Sequence, residues 1–299
     1  MPTRSIETVS IGFIGAGRLG KALAWSLATA GLAVRGVASS IEQEALDLAS
    51  RIEACEVMPA QAVVDCCDLV FITTPDSVIA QAVAPLRFRA GTGVVHCSGA
   101  TEVDALATAQ AQGAAIGGFH PMQTFADPDA AVASLPGSTI TIEAGDDDLD
   151  GLLVQLVERL DCHVNRLPPG MRGRYHAAAG FTTQFINALF YESARVWKTW
   201  GAGEADAMRA MLPMARGTLA AIESVGIARG MPGPVSRNDV VSVEKHVTAL
   251  TDLGDDMTAF YRVLCGVTVR IARESGAVDA DAASRFDAAL ARGIPAGCP

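Results

Sequence analysis

Between Val9 and about Pro168, short runs rich in Val and Ile (VSIGFIG, AVRGVAS, LVFITTP, GVVHCSG, AIGGFHP, STITIEA) alternate with Ala-rich stretches whose apolar residues recur at helical spacing. Continuous apolar runs separated by helices predict a mostly parallel sheet covered on both faces. The turn-forming segment LPPGMRG, residues 167–173, closes this half. Beyond it lie only long stretches of helical periodicity, such as RYHAAAGFTTQFINALFYESARVWKTW and DDMTAFYRVLCGVTVRIARES. The predicted organisation is an α/β domain over 1–168 and an all-α domain over 169–299. The acidic cluster DDDLD at 146–150 fits a helix N-terminus, where carboxylates oppose the positive end of the dipole.

Composition narrows the function classes. With 299 residues, half of them apolar, the chain is long enough for two cores. A net charge of −10 without a basic run argues against nucleic acid and anionic membranes as partners. The start MPTRSIETVS lacks the pattern of an export leader, and no apolar run is long enough to span a bilayer. Seven scattered cysteines, Cys298 among them, show no metal spacing and no CxxC pair, as expected of a protein of the reducing cytoplasm that binds no structural metal.

The segment GAGRLG (Gly15, Ala16, Gly17, Arg18, Leu19, Gly20) stands between an apolar strand and a helix. In that setting a first glycine makes the tight turn, a second admits a pyrophosphate and a third packs helix on strand, so a dinucleotide-binding Rossmann-like domain is expected. At the end of the second strand an NAD site places an acid for the ribose 2′-hydroxyl, but this chain has Ser39 and Ser40. Two hydroxyls with Arg18 nearby suit a 2′-phosphate, so NADP is favoured and NAD is retained as the alternative. The strand ends carrying Thr73, Thr74 and Pro75, and Ser98 and Gly99, are expected to flank the ribose and nicotinamide.

Several residues are candidates for chemistry or substrate binding. His120 ends a late strand, is stopped by Pro121, and is followed by Gln123; it is a candidate proton donor or orienter, with bracing of its own loop as the equal alternative. His176, Gly180, Thr183 and Asn187 share a small, polar helix face, which suits either a ligand cleft or a close helix crossing. In GPVSRNDVVSVEKHV, Asp239, Ser242 and His246 recur on one helix face, although capping alone accounts for Asp239. Arg237 beside that helix start calls for an anion, either a substrate carboxylate or a surface acid.

The motifs GFIGAGRLGKAL, HCSGA, FHPMQTF, RYHAAAGF and GPVSRNDVVSVEKH, in this order, resemble the bacterial predicted oxidoreductases that join a Rossmann-like domain to a helical domain of formerly unknown function. That family is similar to ketopantoate and pyrroline-5-carboxylate reductases and to 6-phosphogluconate-type dehydrogenases. The resemblance implies an NAD(P)-dependent enzyme that reduces a ketone or imine of a small carboxylate-bearing metabolite between its two domains, commonly as a homodimer. Taken with the strand-end and helix-face readings above, the expected catalytic set is His120, His176, Arg237 and Asp239, with Gln123, Thr183, Gln184, Asn187, Ser242 and His246 at the substrate. Relatives commonly carry Ser-Asn where this chain has Thr183-Gln184, and Arg-Gly-Asp then Thr where it has Arg237-Asn238-Asp239 and Ser242. The only lysines are Lys21, Lys198 and Lys245, none placed like the acid lysine of ketopantoate reductases. The competing reading is a non-catalytic nucleotide-binding redox sensor or dimeric regulator, since fold alone does not decide activity.

Overall fold

A computed structural model describes residues 4–292, which leaves Cys298 outside the described residues. The chain forms two compact units, divided after Thr183. The first contains an eight-stranded sheet: β1 Ser10–Ile14, β2 Ala33–Ala38, β3 Glu56–Val57, β4 Leu69–Ile72, β5 Gly93–His96, β6 Ala115–Pro121, β7 Thr139–Ala144 and β8 His163–Arg166. Their order in space is β3-β2-β1-β4-β5-β6-β7-β8. All neighbours run parallel except β6 and β7, which are antiparallel.

Burial on both faces explains the apolar runs of the central strands. On one face Phe13, Phe71 and Phe119 form an aromatic ladder, with Phe13 stacked on Phe71 at 5.1 Å and Phe71 edge-on to Phe119 at 5.4 Å. The other face packs Ile72, Ile79, Val94 and Ile116. The six predicted strands are all present. The two unpredicted ones, Glu56–Val57 and His163–Arg166, are short edge strands with little apolar content.

The division after Thr183, rather than after Pro168, has a definite cause. The helix Arg172–Phe181 belongs to the sheet unit because Arg172 is fully buried there. Its guanidinium donates from Nε to Glu143 Oε2 at 3.0 Å and from Nη1 to the Ser98 carbonyl at 2.7 Å. The Glu102 carboxylate accepts from the backbone N–H of Gly170 and of Arg172, holding the helix start. Gly118, paired with His96 on one side and Glu143 on the other, lies under the guanidinium: a Cβ there would stand 1.9 Å from Arg172 Nη2.

The second unit is helical, with main helices Gln184–Lys198, Glu204–Val225, Val240–Thr251, Asp255–Glu274 and Ala280–Ala291. Its core gathers Val243, Val247, Val269 and Phe286, and the Asp279 side chain caps the last helix by accepting from the Ala282 N–H. No helix of the described residues is long and apolar enough to cross a membrane.

Replacing Gly118 with Ala is expected to destabilise the protein by at least about 2 kcal/mol, because the buried guanidinium can retreat only by breaking its bonds to Glu143 and Ser98. Urea denaturation measures this; a midpoint equal to that of the unaltered protein would mean that Arg172 is not seated over Gly118.

Candidate functional site

The glycine segment is built as its spacing requires. Gly15 has φ +110°, and a Cβ on it would lie 2.7 Å from the Thr73 carbonyl, so only glycine makes this turn. Gly20 allows the helix Arg18–Thr29 to press on the turn, since a Cβ there would meet Gly15 O at 2.7 Å. Over Gly17, by contrast, no atom comes within 4 Å of where a Cβ would stand. The helix begins at this open point with no side-chain cap and no acid in its first turn, leaving its positive end available for an anion.

A cavity of about 1290 Å³ extends from this point, ample for a dinucleotide. Gly15, Ala16, Gly17, Arg18 and Leu19 line it, as do Ser39 and Ser40, Thr73, Thr74 and Pro75, Ser98, Gln123 and Thr183. Among these, Thr74 Oγ1 is buried without a hydrogen-bond partner, a polar atom that a ligand would satisfy. Thr73 Oγ1 is already taken up by Gly15 O at 2.7 Å. Arg18 is the basic residue of the lining, while Glu44 and Asp76 are its acids. The residues present therefore fit a dinucleotide.

Like Thr73, the expected ligand contacts Ser98 and Gln123 have other partners. Ser98 Oγ accepts from the N–H groups of Ala100 and Thr101, bracing the loop after β5. Gln123 donates to Ser134 O at 2.9 Å and accepts from Thr124 N–H at 2.8 Å, which ties the loop over Arg18 to the helix Pro128–Ser134.

Next to Ser98, Gly99 marks where the histidines meet. A Cβ on Gly99 would lie 2.8 Å from His120 Nε2 and 2.7 Å from His176 Cδ2, so both rings occupy the space that a side chain would fill. The two rings are 6.3 Å apart. His120 is also one end of a row across three strands, because it pairs with Thr141 of β7, which pairs with Asn165 of β8. Asn165 Nδ2 donates to Thr141 Oγ1 at 3.0 Å, Thr141 Oγ1 donates to Tyr175 Oη at 2.9 Å, and Tyr175 Oη lies 2.7 Å from His120 Nδ1. Arg172, Tyr175 and His176 stand at i, i+3 and i+4 of one helix and so share the face turned to this row.

Burial, then the nearby His176 and Arg172, hold His120 well below the ordinary histidine range, at about 4; Asp76 acts the other way. His96, fully buried at the end of β5, is likewise pushed down to about 4, first by burial and then by Arg172. Its Nδ1 accepts from Ser98 N–H at 3.2 Å, while its Nε2 is buried without a hydrogen-bond partner. Burial drives the Cys97 thiol far up, which makes it a poor nucleophile.

The polar stripe expected on one continuous helix is interrupted. The helix Arg172–Phe181 stops at Thr182, and a second helix starts at Gln184, so His176 and Gly180 lie on one helix and Gln184 and Asn187 on the next. Thr183, between them, donates to Ala179 O. In the helical unit, Asp239 caps the helix Val240–Thr251, accepting from Ser242 N–H at 3.0 Å and from Ser242 Oγ at 2.5 Å. The Ser242 hydroxyl, then its backbone N–H, holds the carboxyl below its ordinary range. His246 Nδ1 lies 2.8 Å from Tyr261 Oη. Arg237 is exposed and makes no ion pair among the described residues. No cluster of metal-binding side chains exists among the described residues.

Sequence reasoning overlooked Arg172, Tyr175, Thr141 and Asn165. The i, i+3, i+4 spacing in RGRYH was a usable signal; the pairing of Thr141 and Asn165 with His120 depends on strand register and had none.

The two depressed histidines make folding sensitive to acid. Between about pH 6.5 and 4 the unfolded chain binds protons that the folded chain refuses, so stability is complete above 6.5 and falls as pH drops toward 4. For fully buried His96 the loss is on the order of 2–3 kcal/mol. In urea denaturation at pH 7 and pH 5, His96→Gln is expected to show a smaller difference between the two pH values than the unaltered protein; equal differences contradict the assignment.

Comparison with known proteins agrees with this architecture. Residues 4–121 match the family of Rossmann-like domains, and residues 138–268 match the domain of unknown function DUF2520. No curated protein matches the chain. Among solved structures, a candidate NADP oxidoreductase from Bacteroides fragilis is 25% identical, with a TM-score of 0.71 over 88% of this chain and 99% of its own. A reductive aminase from Aspergillus terreus in complex with NADPH4, cyclohexanone and allyl amine is 16% identical, with a TM-score of 0.60 over 94% of this chain and 99% of its own. A 1-pyrroline-5-carboxylate reductase from Streptococcus pyogenes is 14% identical, with a TM-score of 0.59 over 95% of this chain and 98% of its own. The chain thus carries a Rossmann-like domain followed by a DUF2520 domain, in a fold shared with solved NADP oxidoreductases and pyrroline-5-carboxylate reductases.

Proposed function

We propose that the protein is an NADP-dependent oxidoreductase that reduces the C=O or C=N group of a small carboxylate-bearing metabolite. The observation that carries this reading is the continuous cavity of the sheet unit, running from the open helix start at Gly17 to Ser98, next to the His120–His176 pair at Gly99. Gly17 and the N–H groups after it hold the pyrophosphate, Arg18 with Ser39 and Ser40 receives the 2′-phosphate, and Thr74 Oγ1 gains the partner it lacks. The fold shared with a Bacteroides fragilis candidate NADP oxidoreductase supports the choice of cofactor. When bound, the reduced nicotinamide supplies the hydride. This chain's part is to hold the reacting carbon beside it and to place a proton donor, His120, at the atom that gains negative charge.

The helical unit is proposed to form a homodimer. Met214 is 68% exposed, Leu219 58% and Ile227 64%, apolar side chains that water alone would otherwise cover.

Two measurements test these proposals. Titration of NADPH, followed by its fluorescence, is expected to saturate with the unaltered protein, to weaken at least about tenfold with Arg18→Ala, and to leave NADH affinity nearly unchanged in that variant. Equal losses for both nucleotides contradict the 2′-phosphate role, and no uptake of either removes the function. Light scattering is expected to give a dimer that Leu219→Glu converts to monomer; a monomeric unaltered protein rejects the dimer.

A further inference from the structure

Resting on that reading, we propose that Tyr175 is a positioning residue that fixes His120 as a neutral donor from Nε2, and that the site therefore takes ketones rather than preformed iminium ions. The direction of the hydrogen bonds carries the argument. Asn165 Nδ2 has only hydrogens to give, so Thr141 Oγ1 accepts there and turns its own hydrogen to Tyr175 Oη. With that bond accepted, Oη keeps its own hydrogen free, and His120 Nδ1, 2.7 Å away, is the acceptor within reach that we assign to it. A ring nitrogen that accepts carries no proton, so the single proton of the neutral imidazole lies on Nε2. That nitrogen is the one against Gly99, and among the described residues no hydrogen bond reaches it.

The surroundings keep the ring neutral. Arg172, Tyr175 and His176 face it from the helix, Asp76 acts on it from the loop after β4, and Arg172 is itself paired with Glu143 of β7. Burial and the two cationic or basic neighbours outweigh Asp76 and depress the ring far below neutrality. Burial also raises the Tyr175 phenol, so the proton rests on Tyr175.

A carbonyl oxygen has lone pairs for an N–H donor. An iminium nitrogen has none, and its charge faces both the N–H dipole and the field of Arg172. In the reduction of a ketone the C=O π bond breaks: carbon gains the hydride, given by the nicotinamide that is thereby oxidised, and oxygen gains the Nε2 proton. The Tyr175 proton moves to Nδ1, leaving a phenolate bonded by Thr141; Nε2 then takes a proton from water and Nδ1 returns its proton to Tyr175, which restores the starting tautomer. The neutral ring acts as an electrophile in the manner of other neutral catalytic histidines.

Nitrogen NMR of protein carrying labelled histidine reads the tautomer without any turnover. At neutral pH the His120 signal is expected to be that of a neutral ring protonated on Nε2, and Tyr175→Phe is expected to shift it toward a mixture with the Nδ1-protonated form. An imidazolium or Nδ1-protonated ring in the unaltered protein overturns the proposal, as does an unchanged tautomer in Tyr175→Phe. Should that variant not fold, Thr141→Val frees the same hydroxyl and is read in the same way. With NADPH, the best ketone of a panel is expected to exceed the best N-methylated cyclic iminium salt in kcat/KM by at least about tenfold. Iminium salts reduced as fast as ketones, or no ketone reduced although NADPH binds, also overturn it. Failure to bind NADPH counts against the reductase reading instead, while the NMR result still decides the tautomer.

Discussion

A single buried cation organises the chemical end of the sheet. The Arg172 guanidinium lies over Gly118 in the middle of β6 and reaches Ser98 after β5 and Glu143 in β7, so one side chain ties three adjacent strands to the helix that bears it. Burying such a charge costs several kcal/mol unless it is paired and hydrogen-bonded, and removing one partner of a buried pair costs about 3–5 kcal/mol. The arrangement also has a chemical effect: with Arg172 seated, Tyr175 and His176, three and four residues on, fall beside His120, and the positive field helps to keep the imidazole neutral.

The cofactor end follows a different constraint, that of backbone space. Three glycines perform three separate tasks: one accepts a left-handed turn, one leaves room, and one allows close packing. The uncapped helix start and the unpartnered Thr74 hydroxyl leave unmet polar capacity on the wall of a large cavity. The two ends meet at the Ser98–Gly99 step, where the cavity lining gives way to the histidine pair.

Local features were legible in the sequence because local rules govern them. The six apolar strands and the glycine turn follow from composition or spacing within a dozen residues. What escaped depends on the register of distant segments. Thr141 and Asn165 look like ordinary β residues, and join the hydrogen-bonded row that reaches His120 through Tyr175 only because β6 pairs antiparallel with β7 and β7 parallel with β8. The predicted helix through Thr183 failed for a local reason that periodicity hides: Thr182 and Thr183 both turn their hydroxyls back to Ala179 O, and the helix ends there. Asp239 looked like a cap and is one, a case in which the simpler reading of a residue describes what its carboxylate does.

The central claim is that a reduced nicotinamide lies at the Ser98–Gly99 step with its reactive carbon beside His120. Nuclear Overhauser transfer in the NADPH complex, from the nicotinamide C4 hydrogens to the His120 Cε1 hydrogen, measures that proximity directly. A cross-peak that disappears on His120→Asn is the expected result; a complex saturated with NADPH in which no such transfer occurs contradicts the account.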